Sequence, residues 1–191
     1  MPPSPTRASL SLIIQAPLNY AIDENDRLIQ VDGWFYDFAA ANGWDGAEDC
    51  LGRVLWDFVA GEDLVKLQRI LVRRIRSDVR EVELPFRCDG PDVRREMTLR
   101  ISANESGRLV LFSARMRDEL PRPKPQPLLD MEVPRGGKTI EMCGWCDRFF
   151  VDDEWVEVEV AAERLSLFAR EELPAITHGI CPHCSELLLA A

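Results

Sequence analysis

An α+β fold followed by a small metal-binding module is expected from three features of the chain. Between residues 18 and 117, short alternating segments bracket a helical stretch in the order β-β-α-α-α-β-β-β. A proline-spaced run, Pro121-Arg122-Pro123-Lys124-Pro125-Gln126-Pro127, comes next. Two Cys-x-x-Cys pairs follow, Cys143-Gly144-Trp145-Cys146 and Cys181-Pro182-His183-Cys184. The first feature predicts a five-stranded antiparallel sheet with helices inserted after its second strand. The expected divisions are an N-terminal segment 1–17, a sheet domain 18–117, a Pro-rich linker 118–138 and a cysteine module 139–191.

The elements can be justified in order. Residues 1–7 are rich in Pro and Ser, and Ala8 to Leu18 reads as either a short helix or a strand. Tyr20–Asp23 and Leu28–Val31 flank Glu24-Asn25-Asp26-Arg27, a polar turn of hairpin length. Trp34–Ala41 reads as a helix stopped by Asn42-Gly43. Leu51–Val59 reads as a second, short helix ending before Gly61. In Glu62–Ser77, Leu64, Leu67, Leu71 and Ile75 recur every three or four residues and form one apolar stripe. Arg69, Arg73, Arg74 and Arg76 lie on its other faces, where a solvated basic surface is expected ahead of a nucleic-acid contact. Three strands follow: Val79–Cys88 through Val82, Leu84 and Phe86, Val93–Ser102 through Met97, Leu99 and Ile101, and Leu109–Met116 with Leu109, Leu111 and Phe112. Asp89-Gly90-Pro91-Asp92 and Asn104-Glu105-Ser106-Gly107 connect them as turns.

Alternate prolines bias residues 121–127 toward an extended, stiff spacer. Arg135-Gly136-Gly137-Lys138-Thr139 lacks the first glycine of a phosphate loop, where Glu132 stands, so nucleotide hydrolysis there is excluded. Between the cysteine pairs a strand into Trp155 and a helix from Val156 to Arg170, ended by Pro174, are expected. A last helix covers Ser185–Leu189.

The paired cysteines carry the chemistry. Two residues between sulfurs allow a tight turn whose N–H groups stabilise thiolates, and two such pairs complete a closed tetrahedral site with no position left for water or substrate. The expected ligands are Cys143, Cys146, Cys181 and Cys184, the ion Zn2+, and the role structural. A disulfide framework would need an oxidising compartment that nothing else in the chain suggests. A thioredoxin-like dithiol needs a helix after the first pair, and Asp147–Asp153 is a poor one. A redox-responsive site that ejects its metal stays open as an alternative. His183, between two ligands, is expected to point away, and His178 to hydrogen-bond behind them. Cys50 and Cys88 are read as idle thiols.

Composition bounds the rest. At 191 residues, 46% apolar and 29% charged, the chain is globular. A net charge of −10 argues against nucleic acid and anionic lipid as partners. No apolar run reaches a membrane span, and the N-terminal run Leu10–Ile14 lacks a cleavage signal, so a cytoplasmic protein is expected.

The element order, with Leu51-Gly52-Arg53-Val54-Leu55-Trp56-Asp57-Phe58 entering the helical section, resembles a PAS domain over residues 18–117. Cys143-Gly144-Trp145-Cys146, Trp155 and Thr177–Cys184 resemble the small cysteine-rich tails of bacterial signalling proteins. The resemblance implies a sensory domain that binds a small molecule or a protein, a zinc-binding tail, and homodimers. Within it, the absence of histidine before His178 excludes histidine-ligated heme, and the surroundings of Cys50 do not match the photoactive flavin pattern. Trp34, Phe35, Tyr36, Phe38, Trp56 and Phe58 are either plain core or a cavity lining. The segment Arg87–Arg95 reads first as a charged hairpin held by Arg–Asp contacts. A non-enzymatic signalling protein is therefore expected. A zinc hydrolase would need an open ligand position and a general base, and the cysteines leave neither.

Overall fold

The strand β1 (Leu18–Ile22) and β2 (Leu28–Val31) form the expected first hairpin. Its turn is held by Asp23, whose Oδ1 accepts the N–H groups of Asn25 and Arg27, each at 2.9 Å, while Asp26 adopts a φ of 61°. Such an Asx turn is what a polar four-residue connection favours. The structure is a computed structural model that describes residues 17–41, 44, 47–78, 81–130, 133–169 and 172–191. The reading of Ala8–Leu18 and the stop at Asn42-Gly43 fall almost wholly outside these residues.

Helix α1 (Gly33–Ala41) begins at Asp32, whose Oδ1 accepts the Phe35 N–H at 3.0 Å and so satisfies a first-turn donor. The helix expected over Leu51–Val59 is instead two 3-10 turns, Ala47–Cys50 and Leu55–Phe58. Gly52, at φ 81°, separates them. The backbone there is diverted to the first hairpin: Gly52 N–H donates to Leu28 O at 2.7 Å and Leu28 N–H to Arg53 O at 2.9 Å. A strand edge offering free partners outcompetes helical bonding in that segment.

Helix α2 (Glu62–Asp78) buries Leu64, Leu71, Val72 and Ile75. Arg69, Arg73 and Arg74 are exposed, as expected. Arg76 is not. It is half-buried, donates Nη2 to Asp23 O and pairs Nη1 with Asp26 at 2.8 Å. Asp26 also accepts Trp56 Nε1 at 2.6 Å, so one aspartate joins the hairpin turn, a 3-10 turn and the helix.

Strands β3 (Glu81–Arg87), β4 (Val93–Ala103) and β5 (Val110–Pro121) complete the sheet in the order β2-β1-β5-β4-β3. The chain is thus α+β, with helices inserted after the second strand. Leu84, Met97, Leu99 and Ile101 are buried. In β5 the buried residues are Val110, Phe112 and Ala114, while Leu111 is 44% exposed. Leu111 and Phe112 cannot share one face of a strand with period two. Pairing with β1 selects Phe112, whose ring stacks on Tyr20 at 4.6 Å.

The remaining elements are β6 (Arg135–Cys143), β7 (Phe149–Val151), β8 (Glu154–Val156), α3 (Val158–Arg164), β9 (Leu173–Gly179) and α4 (Pro182–Ala190). The strands form a second sheet, β8-β7-β6-β9, in which β9 lies parallel to β6. Asp152 and Asp153, both at positive φ, make the β7–β8 turn, the geometry a two-residue hairpin requires. The helix expected to reach Arg170 stops at Arg164, because Ser166 turns left-handed at φ 53° before a 3-10 turn at Leu167–Ala169. The core gathers Leu128, Ile140, Phe149, Val151, Val158 and Leu173 around Ala161 and Ala162.

The chain divides into two compact units. One comprises Met1–Asp57, Arg74–Pro85 and Met97–Arg117, the other Phe58–Arg73, Phe86–Glu96 and Asp118–Ala191. The stretch read as linker therefore belongs to the second unit. Strand β5 runs on to Pro121, Gln126 N–H donates to Pro91 O at 2.9 Å, and Leu128 is 1% exposed in the core.

Candidate metal centre

Strand β6 ends on Cys143, and the chain reverses through Gly144-Trp145-Cys146. Cys143 N–H donates to Arg148 O at 2.8 Å and Asp147 N–H returns to Cys143 O at 3.0 Å, with Asp147 at φ 58°. On the other side, Cys181 caps α4. Its sulfur accepts the Cys184 N–H at 3.5 Å, and Pro182 occupies the first turn, where a missing N–H costs nothing. This cap turns the Cys184 sulfur back toward Cys181.

The Sγ atoms of Cys143, Cys146, Cys181 and Cys184 lie within 4.8 Å of one another. Cys146 and Cys181, from different pairs, stand 3.8 Å apart. Thiolates bound tetrahedrally at about 2.3 Å from an ion would be separated by about 3.8 Å. All four cysteines are free, three are buried, and Cys146 is half-buried. The residues fit a metal ion. When bound, a divalent ion would offset two of the four thiolate charges and cross-link β6 to α4.

The electrostatics fit the same role. Hydrogen bonds from the Cys146 and Cys184 thiols, and from the N–H groups of Cys181 and Trp145, hold Cys143 far below the ordinary thiol range. The bond to Cys143 pushes Cys146 up to about 12 and drives Cys184 up as well. Four sulfurs at this spacing cannot all ionise without a cation among them.

His183 is exposed on α4, as expected. His178 lies on β9 opposite Met142 and is half-buried, with burial lowering its ordinary pKa. Among the described residues no hydrogen bond joins its ring to a cluster sulfur, so the expectation that it supports the ligands through such a bond is corrected. Its backbone matters instead. Gly61, at φ 97°, sits so close that an added Cβ would lie 2.8 Å from His178 O. At Gly144 an added Cβ would lie 2.9 Å from Leu64 Cδ2, the end of a side chain that can yield, so that position is less confined. Gly61→Ala should therefore cost about 1–3 kcal/mol, read as a lower thermal midpoint of the metal-loaded protein. An unchanged midpoint would mean that this approach is loose.

A buried ion network, absent from the sequence reading beyond Arg87–Asp89, backs the first turn. Arg87 N–H donates to Trp145 O at 3.0 Å and Asp89 N–H to Asp147 Oδ2 at 2.8 Å. Burial pushes the Asp147 carboxyl up to about 7. The Asp89 carboxylate accepts from the Arg87 and Arg122 guanidinium groups and from Arg95 N–H. Arg87 and Arg148 both reach Glu157 and, against its burial, hold that carboxyl below its usual range. Arg122 also pairs with Glu159. The expected hairpin held by Arg–Asp contacts is present, with partners that are distant in sequence.

Cys50 is fully buried, and burial pushes the Cys88 thiol up to about 11; neither joins the cluster. Phe35 packs edge-on against Tyr20, Tyr36 and Trp44, Trp34 is 39% exposed, and Trp56 is committed to Asp26. Among the described residues no helix is long and apolar enough to cross a membrane.

No protein-family model matches the chain, and no curated protein matches it. Solved structures resemble part of it. A sensory box sensor histidine kinase from Vibrio cholerae is 8% identical, covers 58% of this chain and 88% of its own, and superposes with a TM-score of 0.42. The PAS domain of BvgS from Bordetella pertussis is 14% identical over 57% of this chain and 82% of its own, at a TM-score of 0.38. The PAS domain of an HTR-like protein from Haloarcula marismortui is 18% identical over 58% and 90%, at a TM-score of 0.33.

Proposed function

We propose that the chain is a non-enzymatic regulatory protein, in which a PAS-like sheet domain senses a small molecule or binds a protein and a structural Zn2+ site rigidifies the second unit. The observation that carries this reading is the closed set of four thiols within 4.8 Å. A saturated Cys₄ site leaves no coordination position for substrate, so its contribution is to folding. The α-helices inserted after the second of five antiparallel strands support the PAS-like part. Signalling through a protein partner, homodimers and a cytoplasmic location belong to the same proposal. Metal analysis of the purified protein tests it, with one zinc per chain expected and no metal at all, or a metal that exchanges freely with solvent ligands, overturning it.

One observation favours a second reading. Cys146 is the least buried ligand and stands 3.8 Å from Cys181 of the other pair. Oxidation of these two would form a bond across the site and expel the ion. Zinc release by mild peroxide, at levels that modify ordinary thiols, separates this switch from a static site.

A further inference from the structure

Strand β8 is the edge of the second sheet. Because Asp152 and Asp153 form a two-residue turn, Val151 and Glu154 are the closing, hydrogen-bonded pair of the β7–β8 hairpin. The next pair, Phe150 and Trp155, is then of the non-hydrogen-bonded kind. The other side of β7 agrees. Cys143 N–H donates to Arg148 O, so two residues further on the Phe150 backbone again turns toward β6. Trp155 therefore aims both its N–H and its C=O at the open edge. Among the described residues no strand pairs with them.

The same position carries an aromatic platform. Phe149 and Val151 point into the core, which leaves Phe150 and Trp155 on the opposite face, their ring centroids 5.4 Å apart. Phe150 is 38% exposed and Trp155 is half-buried. Among the described residues no lysine or arginine lies over either ring. Acids border the platform. Glu141 stands opposite Phe150 on β6, and Asp152, Asp153 and Glu154 are exposed at the turn. Arg164 reaches Glu154 at 2.9 Å and Asp152 at 3.9 Å, leaving Glu141 and Asp153 without a cation among the described residues.

We propose that the β8 edge docks an extended, arginine-bearing segment of a protein partner, added as a further strand at Trp155. A residue of that strand opposite Trp155 would exchange two backbone hydrogen bonds with it and place its side chain on the same face. Arginine suits that position, because its planar guanidinium stacks on an indole while its charge meets the acidic border. One edge residue supplies only two backbone bonds, so the stacked cation decides the affinity. A second copy is the poorer occupant, since it would set two chains of net charge −10 edge to edge, each with the same acidic turn. The inference names the chemistry of the partner and rests on the reading above only for there being one.

A short blocked peptide of alternating threonine and arginine, titrated into the full-length, zinc-loaded protein and followed by amide chemical shifts, tests the proposal. Shifts should saturate at Phe150, Glu154 and Trp155. Replacing arginine by citrulline, which keeps the shape and removes the charge, should weaken binding about tenfold. Asp153→Asn keeps a residue that tolerates positive φ and should weaken the arginine peptide about threefold, leaving the citrulline peptide unchanged. Equal affinity of the two peptides would overturn the assignment, as would the absence of saturable shifts or shifts confined to the first sheet. Shifts at Trp155 on concentrating the protein alone would give the edge to a second copy instead. Any of these results with one zinc per chain still bound would strike this inference and leave the zinc reading standing.

Discussion

Replacing Cys181 by serine should unfold the second unit. Cys181 is one of the four proposed ligands, the N-cap of α4 and, through its N–H to Cys143 Sγ at 3.4 Å, a direct tie between the two cysteine pairs. A structural zinc site of this kind contributes an apparent binding energy on the order of 10–16 kcal/mol. Whole-domain stabilities are about 5–15 kcal/mol, so the metal term decides whether this unit folds. The other terms are small: α4 has nine residues, β7 and β8 three each, lengths that are marginal without tertiary support. Hydrogen exchange is the decisive readout. Protection should vanish from β6, β9 and α4, and also from Arg87 and Asp89, whose N–H groups bond to the Cys143–Asp147 turn. A strong chelator should reproduce the loss in the unsubstituted protein, and zinc should restore it. Retained protection in β9 after chelation would show that the apolar core suffices and the ion is secondary.

How far this site was legible depends on which interactions are local. The Cys-x-x-Cys spacing and the exposed His183 are encoded within a few residues and stand as read, whereas the last helix, expected from Ser185, begins three residues earlier at Pro182 with Cys181 as its cap. Strand β9 was not legible. Its pairing with β6 is parallel, so its partner lies more than thirty residues away, and Pro174 reads as a breaker. The register shows why proline is tolerated there: pairing shifts between Arg135 and Thr139 on the facing strand, opposite Leu173-Pro174-Ala175, and a bulge has no ladder bond for proline to remove. The prolines from 121 to 127 misled for the same reason. Their spacing predicts an extended spacer, whereas the chain bends at Pro123-Lys124 and enters a 3-10 turn at Pro127–Leu129, and only tertiary contacts reveal that Gln126 and Leu128 within and beside it are buried. In the first sheet, alternation located the strands, whereas the inward face of β5 was set by Tyr20 on β1.

Asp89→Ala should be the most damaging substitution away from the cysteines. The Asp89 side chain is fully buried, and the Arg122 side chain bonded to it is 2% exposed. Arg87, 9% exposed, shares the same carboxylate. Removing the acid strands two guanidinium groups of which only the partners Glu157 and Glu159 remain. Burial already lowers the Arg122 pKa despite Asp89, so the charge there depends on its counter-ion. Breaking a buried pair from one side costs about 3–5 kcal/mol, which should lower the urea midpoint by at least about 1 M. The cost is one of stranded charge, not of lost attraction, and that distinction is testable. Asp89→Ala combined with Arg122→Met should recover part of the stability, because the second change removes one unpaired cation and keeps its apolar stem. Strict additivity of the two losses would mean that water reaches Arg122 once Asp89 is gone, and that the network behaves as a surface cluster.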